Sequence, residues 1–288
     1  MIRLSINNFW PDFNYEENLL LCLLKDIYGD DLVLTNNIHD CNLCLVAENY
    51  VPKDIDRSKT KILTCMPEPK EVQYKDGDYH LSFDPFRYDL KNVRFPIWYF
   101  YINFYNLQNQ KNPIPVLSPS ELDNNKWLHT PKDEFCIAPF SAIHNNRVKF
   151  LQLLNTHKPT AGFGLPFGNG DTQRNEQTKY DAICKYRFSM AFENTHKIGY
   201  VTEKFLHAKT AGCIPIYWGD EYVLHDFNPD CFIYANHFKS FEECLEYVKY
   251  IDSNEDLYIK MKNAPLFNYD VVESLNHIKK QLKDVISL

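Results

Sequence analysis

The chain has 288 residues, 44% apolar and 24% charged, the balance of a folded globular protein long enough for two domains of roughly 150 residues. A net charge of −7 excludes general affinity for nucleic acid or an anionic lipid surface, while leaving room for a local basic pocket. The nine cysteines are odd in number and scattered singly apart from Cys41 and Cys44, which argues against a disulfide framework and for a reduced compartment.

Residues 2–6 have strand composition, and 15–28 read as a helix with Leu19, Leu20, Leu23, Leu24 and Ile27 inward. Strand-like runs recur at 32–34, 43–47, 61–64 and 80–83, an alternation that predicts a first α/β domain. His39, Cys41 and Cys44 lie close enough to suggest a metal site. No second ligand cluster of matching spacing follows, so the segment reads as a strand carrying small apolar residues. Residues 95–107 include Trp98, Tyr99, Phe100, Tyr101, Phe104 and Tyr105 and are apolar on nearly every face, which predicts a buried helix beneath the first sheet.

From 109 to 132 the composition shifts to Asn, Pro and Ser, and the predicted domains are therefore 1–130 and 131–288. A second α/β unit opens with a strand at 135–138 and a helix at 147–154. The run GFGLPFGNG at 162–170 has neither the spacing nor the closing Lys-Ser/Thr of a phosphate loop, and reads as a mobile loop. Beyond the segment taken next, 232–234 read as a strand, and 240–251, 255–262 and 271–286 as helices. No uninterrupted apolar stretch of about 20 residues and no Asn-X-Ser/Thr sequon is present, which predicts a cytoplasmic location and gives no indication of membrane association.

Residues 188–220 organise the second half. An apolar run, 188–192, meets Glu193 and Asn194; a helix follows with Thr202 as cap and Gly212 at its end; 213–218 return as a strand. Such a βαβ unit brings its loop to the carboxyl edge of the sheet, where ligands bind in open α/β sheets. There Asn194, Tyr200, Glu203 and Lys204 stand beside a helix N-terminus, whose free N–H groups would bind a phosphate while Glu203 accepts from ribose hydroxyls. The plainer alternative is a capping Thr202 followed by two solvated charges. It accounts less well for Asn194, Tyr200 and 215–219 taken together.

Phe192-Glu-Asn194, Tyr200-Val-Thr-Glu-Lys204 and Pro215-Ile-Tyr-Trp-Gly219, in that order and spacing, closely resemble the signature of the α-1,3/4-fucosyltransferases, with weaker matching at 147–150 and 225–229. The resemblance implies a GT-B fold, two Rossmann-like domains facing across a central cleft, the first binding the acceptor and the second GDP-fucose. It implies that Arg147 and Lys204 bind the diphosphate, Glu203 the ribose, and that Asn194 and Tyr200 complete the donor site. It also implies an inverting displacement that moves L-fucose to a hydroxyl of an oligosaccharide or glycoconjugate, of α-1,3 type toward GlcNAc or Glc of a lactosamine-like glycan.

Such a reaction calls for a carboxylate base on the acceptor side. Glu68, which follows a strand-like run, occupies the family's position for a first-domain glutamate; Glu71, Asp84, Asp76 and Asp78 are its rivals. Arg147, Lys204 and the helix N-terminus would stabilise departing GDP, so no metal or cofactor is required, and stimulation by a divalent ion stays open. The alternatives are a GT-B enzyme using another nucleotide sugar and a catalytically idle nucleotide- or glycan-binding protein. The intact set Arg147, Asn194, Tyr200, Glu203 and Lys204 argues against the second.

Overall fold

A computed structural model of the protein describes residues 1–286 apart from 49, 67, 71–73, 87, 88, 90, 111, 112, 165, 166 and 168–175. The chain divides into two compact units.

The first comprises Met1–Pro119, Ile198–Tyr200 and Tyr269–Leu288. Its strands β1 (Ile2–Asn7), β2 (Leu32–Leu34), β3 (Leu43–Ala47), β4 (Lys61–Met66), β5 (Tyr79–Ser82) and β6 (Asn92–Arg94) form one sheet in the order β2-β1-β3-β4-β5-β6, every neighbouring pair parallel. All five residues of β3 are buried, the reason its sequence is a continuous apolar run rather than an alternating one. Cys44 belongs to that strand, and Cys41 donates to the Ile38 carbonyl at 3.1 Å. Helix α1 (Leu19–Tyr28) starts later than the predicted residue 15 because Asn18 caps it, accepting from the Leu21 N–H at 2.8 Å.

The helix expected at 95–107 does not form. Pro96 precedes a short 3-10 turn, Ile97–Tyr101, and the chain then extends at Ile102. Asn103 closes a local turn by accepting from the Leu107 N–H at 2.7 Å, and Asn106 is left-handed with φ 53°. The aromatic density instead fills the core through Phe95, Trp98, Tyr99 and Phe100, all buried.

The second unit comprises Ser120–Lys197 and Val201–Asn268. Its elements are β7 (Glu134–Pro139), α2 (Asn145–His157), β8 (Thr160–Phe163), α3 (Glu176–Ile183), β9 (Tyr186–Phe192), α4 (Glu203–Thr210), β10 (Ile214–Trp218), α5 (Val223–Asp226), β11 (Ile233–Tyr234), α6 (Phe241–Ser253) and α7 (Glu255–Asn263). The parallel sheet runs β11-β10-β9-β7-β8. Phe188, Met190 and Phe192 of β9 pack with Phe150 and Leu154 of α2 and with Val248 and Ile251 of α6 in its core. Lys132 ties this unit together from inside, its ammonium donating to the carbonyls of Trp127, Cys184 and Ala211. The predicted mobile loop is partly a strand, since 160–163 form β8; most of the rest of it lies outside the described residues.

Helix α8 (Val271–Val285) follows in sequence but packs in the first unit, against α1 and β6. Val271, Leu275, Ile278 and Leu282 make its buried stripe at helical spacing. The Tyr99 hydroxyl lies 2.8 Å from Ser274 Oγ, and Lys279 pairs with Asp26 at 2.9 Å. The observed units thus differ from the predicted 1–130 and 131–288 in three ways: the change of unit falls at Pro119 and Ser120, the short segment Ile198–Tyr200 belongs to the first unit, and the last helix returns to it. Among the described residues, no helix is long and apolar enough to cross a membrane.

Candidate active site

Strand β7 is followed by β8 on one side and β9 on the other, so the order of the second sheet reverses between β7 and β9. Open α/β sheets bind ligands at the carboxyl ends of strands flanking such a reversal. A cavity of about 220 Å³ lies there, lined by Pro139 and Phe140 at the end of β7, Phe163 of β8, Asn194 after β9, Arg147 of α2 and Glu203 and Lys204 of α4, with Lys179, Ile183 and His207 farther along. A neighbouring cavity of about 470 Å³ shares Arg147 and Asn194 and adds His144, Thr195, His196 and Trp218.

Arg147 sits in the first turn of α2, yet only 2% of it is exposed. Its guanidinium lies over the Phe140 ring, 5.3 Å from the centroid, and donates to the Ala142 carbonyl at 3.0 Å, to the Phe192 carbonyl, and to Asn194 Oδ1 at 2.8 Å. A flexible cation has been made into a fixed wall, which also sets the orientation of the Asn194 amide.

Helix α4 begins where the sequence predicts. The Thr202 hydroxyl caps it by accepting from the Lys204 N–H at 3.5 Å. Lys204 Nζ lies 3.0 Å from that hydroxyl, 3.3 Å from Glu193 and 3.5 Å from Glu203. Burial works against its charge, but Glu203 and Glu193 outweigh it and raise the pKa, so Lys204 stays an ammonium. Burial likewise works against an ionised Glu203. Lys204, Lys179 and His207 more than compensate and bring its carboxyl down to about 2. One wall of the cavity therefore presents two cations, Arg147 and Lys204, beside an ionised acceptor. A phosphate and a vicinal diol would be matched by such a wall.

Residues 131–269 match the model of the C-terminal domain of glycosyltransferase family 10 (fucosyltransferase). This segment resembles a family-10 fucosyltransferase domain. The chain is 25% identical over 298 residues to an α-(1,3)-fucosyltransferase, FucT, of Helicobacter pylori, covering 90% of this chain and 59% of that protein. It is 30% identical over 168 residues to a putative fucosyltransferase of Acanthamoeba polyphaga mimivirus, covering 53% of this chain and 28% of the relative. The chain thus spans less than two thirds of the length of either. A crystal structure of an α1,3-fucosyltransferase with GDP-fucose shares the fold with a TM-score of 0.71 at 22% identity, covering 99% of this chain and 90% of that one. The α/β architecture with two parallel sheets is that of the GT-B enzymes.

Four predicted donor residues of the family-10-like segment, Arg147, Asn194, Glu203 and Lys204, line one cavity. Tyr200 is not among the residues that line it. It belongs to the first unit, 2% exposed, packed with Met66 and edge-on to Phe83 at 5.4 Å, because its large ring completes that apolar cluster. Gly199 fixes the segment: its φ is +77°, and a Cβ at this position would come within 2.2 Å of the Phe83 carbonyl oxygen.

Glu68 is half-buried just beyond the end of β4 in the first unit. Among its rivals, Asp78 is engaged by Arg57 at 3.1 Å, by Lys61 at 3.6 Å and by the Ile62 N–H at 2.8 Å, and Asp84 accepts from the Tyr74 hydroxyl at 2.7 Å. Glu71 lies outside the described residues. Among the described residues no group of three or more His, Cys, Asp or Glu is arranged to hold a metal.

Sequence reasoning missed Lys179, His207 and Glu176 in the family-10-like segment. His207 Nε2 lies 2.9 Å from Glu176, which Lys179 also approaches at 3.8 Å, and burial keeps the imidazole pKa below its usual value. His207 could have been found from its spacing, one helical turn beyond Glu203 on the same face.

Proposed function

We propose that the protein is an inverting fucosyltransferase that moves L-fucose from GDP-fucose to a hydroxyl of a glycan acceptor, with α-1,3 transfer to a lactosamine-type sugar as the specific reaction. The observation that carries this reading is the convergence of Arg147, Asn194, Glu203 and Lys204 on one cavity at the reversal point of the second sheet, within a segment that resembles a family-10 domain. The nucleoside occupies the cavity lined by Glu203, with the ribose diol on its carboxylate. The diphosphate lies against Arg147, the residue shared by both cavities, and Lys204. The sugar then extends toward His144, His196 and Trp218.

In the reaction the acceptor oxygen bonds to the anomeric carbon as the bond from that carbon to the phosphate oxygen breaks. The hydroxyl proton passes to a carboxylate, for which Glu68 is the candidate, and GDP leaves with its new charge held by Arg147 and Lys204. Charged donors already fixed in place need little rearrangement as that charge develops, which is the condition for electrostatic stabilisation. A panel of GDP-fucose and other nucleotide sugars, each incubated with N-acetyllactosamine, tests the reading. Nucleotide release and product formation are expected with GDP-fucose; release from GDP-fucose no faster than from the others would overturn it.

A further inference from the structure

Glu193 follows β9 directly, and only 1% of it is exposed. Enclosing a carboxylate is costly unless hydrogen bonds and a counter-charge surround it. Both oxygens are so engaged. Oε1 accepts from the Thr202 N–H at 2.7 Å and the Tyr217 hydroxyl at 3.4 Å; Oε2 accepts from the Thr202 hydroxyl at 2.7 Å and lies 3.3 Å from Lys204 Nζ. The backbone of Gly219 closes over it, since a Cβ there would come within 2.9 Å of Glu193 Cγ and 2.5 Å of the Tyr217 hydroxyl.

Thr202 is the cap of α4, so Glu193 grips the helix start by both backbone and side chain. Through the same oxygen it holds the ammonium of Lys204. A lysine normally samples many rotamers, and ordering it on binding is costly. Here the ordering is already done by Glu193, Thr202 and Glu203.

We propose that Glu193 is a positioning residue for nucleotide diphosphate binding, acting through Lys204 rather than on the nucleotide, an inference that rests on the nucleotide-sugar reading above. Glu193→Gln keeps an acceptor for the Thr202 N–H and removes the charge that tethers Lys204. A purely structural role and a positioning role then separate in a double-mutant cycle of E193Q, K204M and the double variant, with GDP binding measured by calorimetry. Loss of one charge-assisted hydrogen bond predicts that E193Q weakens GDP about tenfold in the otherwise native chain. In the K204M background the same change has little left to act through, and a further loss below about twofold is expected. An equal loss in both backgrounds, or no loss in the native one, overturns the proposal.

Thermal melting of the same four proteins without nucleotide supplies a readout independent of GDP. If Glu193 and Lys204 act as a pair, the double variant loses less melting temperature than the two singles combined; additive losses sink the link between them. If the native chain binds no GDP, the nucleotide reading fails, and the melting cycle alone decides whether Glu193 fixes Lys204.

Discussion

Glu203→Gln keeps the shape of a side chain in the first turn of α4 and removes its charge. Burial opposes that charge, yet Lys204, Lys179 and His207 lower the carboxyl from 4.5 to about 2. A carboxyl with a folded pKa below its unfolded one stabilises the fold while ionised, so its contribution is full above pH 4.5 and is lost as the pH falls through about 2. At about 1.4 kcal/mol per pH unit the contribution is roughly 3 kcal/mol, of which about 2 kcal/mol has gone by pH 3. The stability gap between the native chain and E203Q is therefore expected to narrow from roughly 3 kcal/mol at pH 6 to about 1 kcal/mol at pH 3. Glu193, whose pKa burial raises against the pull of Lys204, titrates in the opposite sense: its contribution is present at low pH and lost as the pH rises. Both proteins contain it, so to first order it cancels in the comparison. Urea unfolding followed by tryptophan fluorescence at several values between pH 3 and 6 measures the gap. A gap that stays constant over that range refutes the electrostatic account of Glu203.

Glu68→Ala is expected to abolish transfer while leaving GDP affinity within about twofold, read by product formation beside calorimetry; near-native transfer removes Glu68 as the base. Asp252 is a buried carboxylate meeting Arg187 at 3.0 Å, His157 at 3.3 Å and Lys158, with its side chain 3% exposed. Asp252→Ala removes the buried partner of Arg187, which keeps Glu255 at 3.0 Å, and of the half-exposed Lys158, and is expected to cost about 1–3 kcal/mol in urea unfolding, without altering the donor preference of the folded protein. Gly199→Ala forces a side chain into left-handed backbone and against the Phe83 carbonyl, with an expected loss of about 2 kcal/mol or more; unchanged unfolding would show that the segment does not anchor there.

The buried parallel strands were legible because a strand covered on both faces is almost wholly apolar, as in β3 and in 188–192 of β9, where Ser189 alone is polar. The start of α4 was legible because a cap is a local affair of a few residues, and Thr202, Glu203 and Lys204 are adjacent. Tyr200 was not. A tyrosine beside a binding motif has the same sequence whether its ring faces a ligand or fills an apolar gap, and the deciding neighbours, Met66 and Phe83, lie more than a hundred positions upstream. Residues 95–107 misled for a related reason: a run apolar on nearly every face carries little periodicity, and Asn103 and Asn106 within it decided its path. Nor could sequence pattern reveal that Arg147 is buried, because the carbonyls that hold it come from Ala142 and the far end of β9.

Because α8 returns to the first sheet, residues near the start of the chain, in α1, are covered by residues near its end, and Asp26 waits for Lys279. During synthesis the second unit, whose segments lie between, can complete its sheet while the first still exposes the apolar side of α1. The first unit can therefore be completed only after the whole of the second has been synthesised. A nascent chain arrested before residue 269 would hold every segment of the second unit but lack the helix whose buried stripe covers the first.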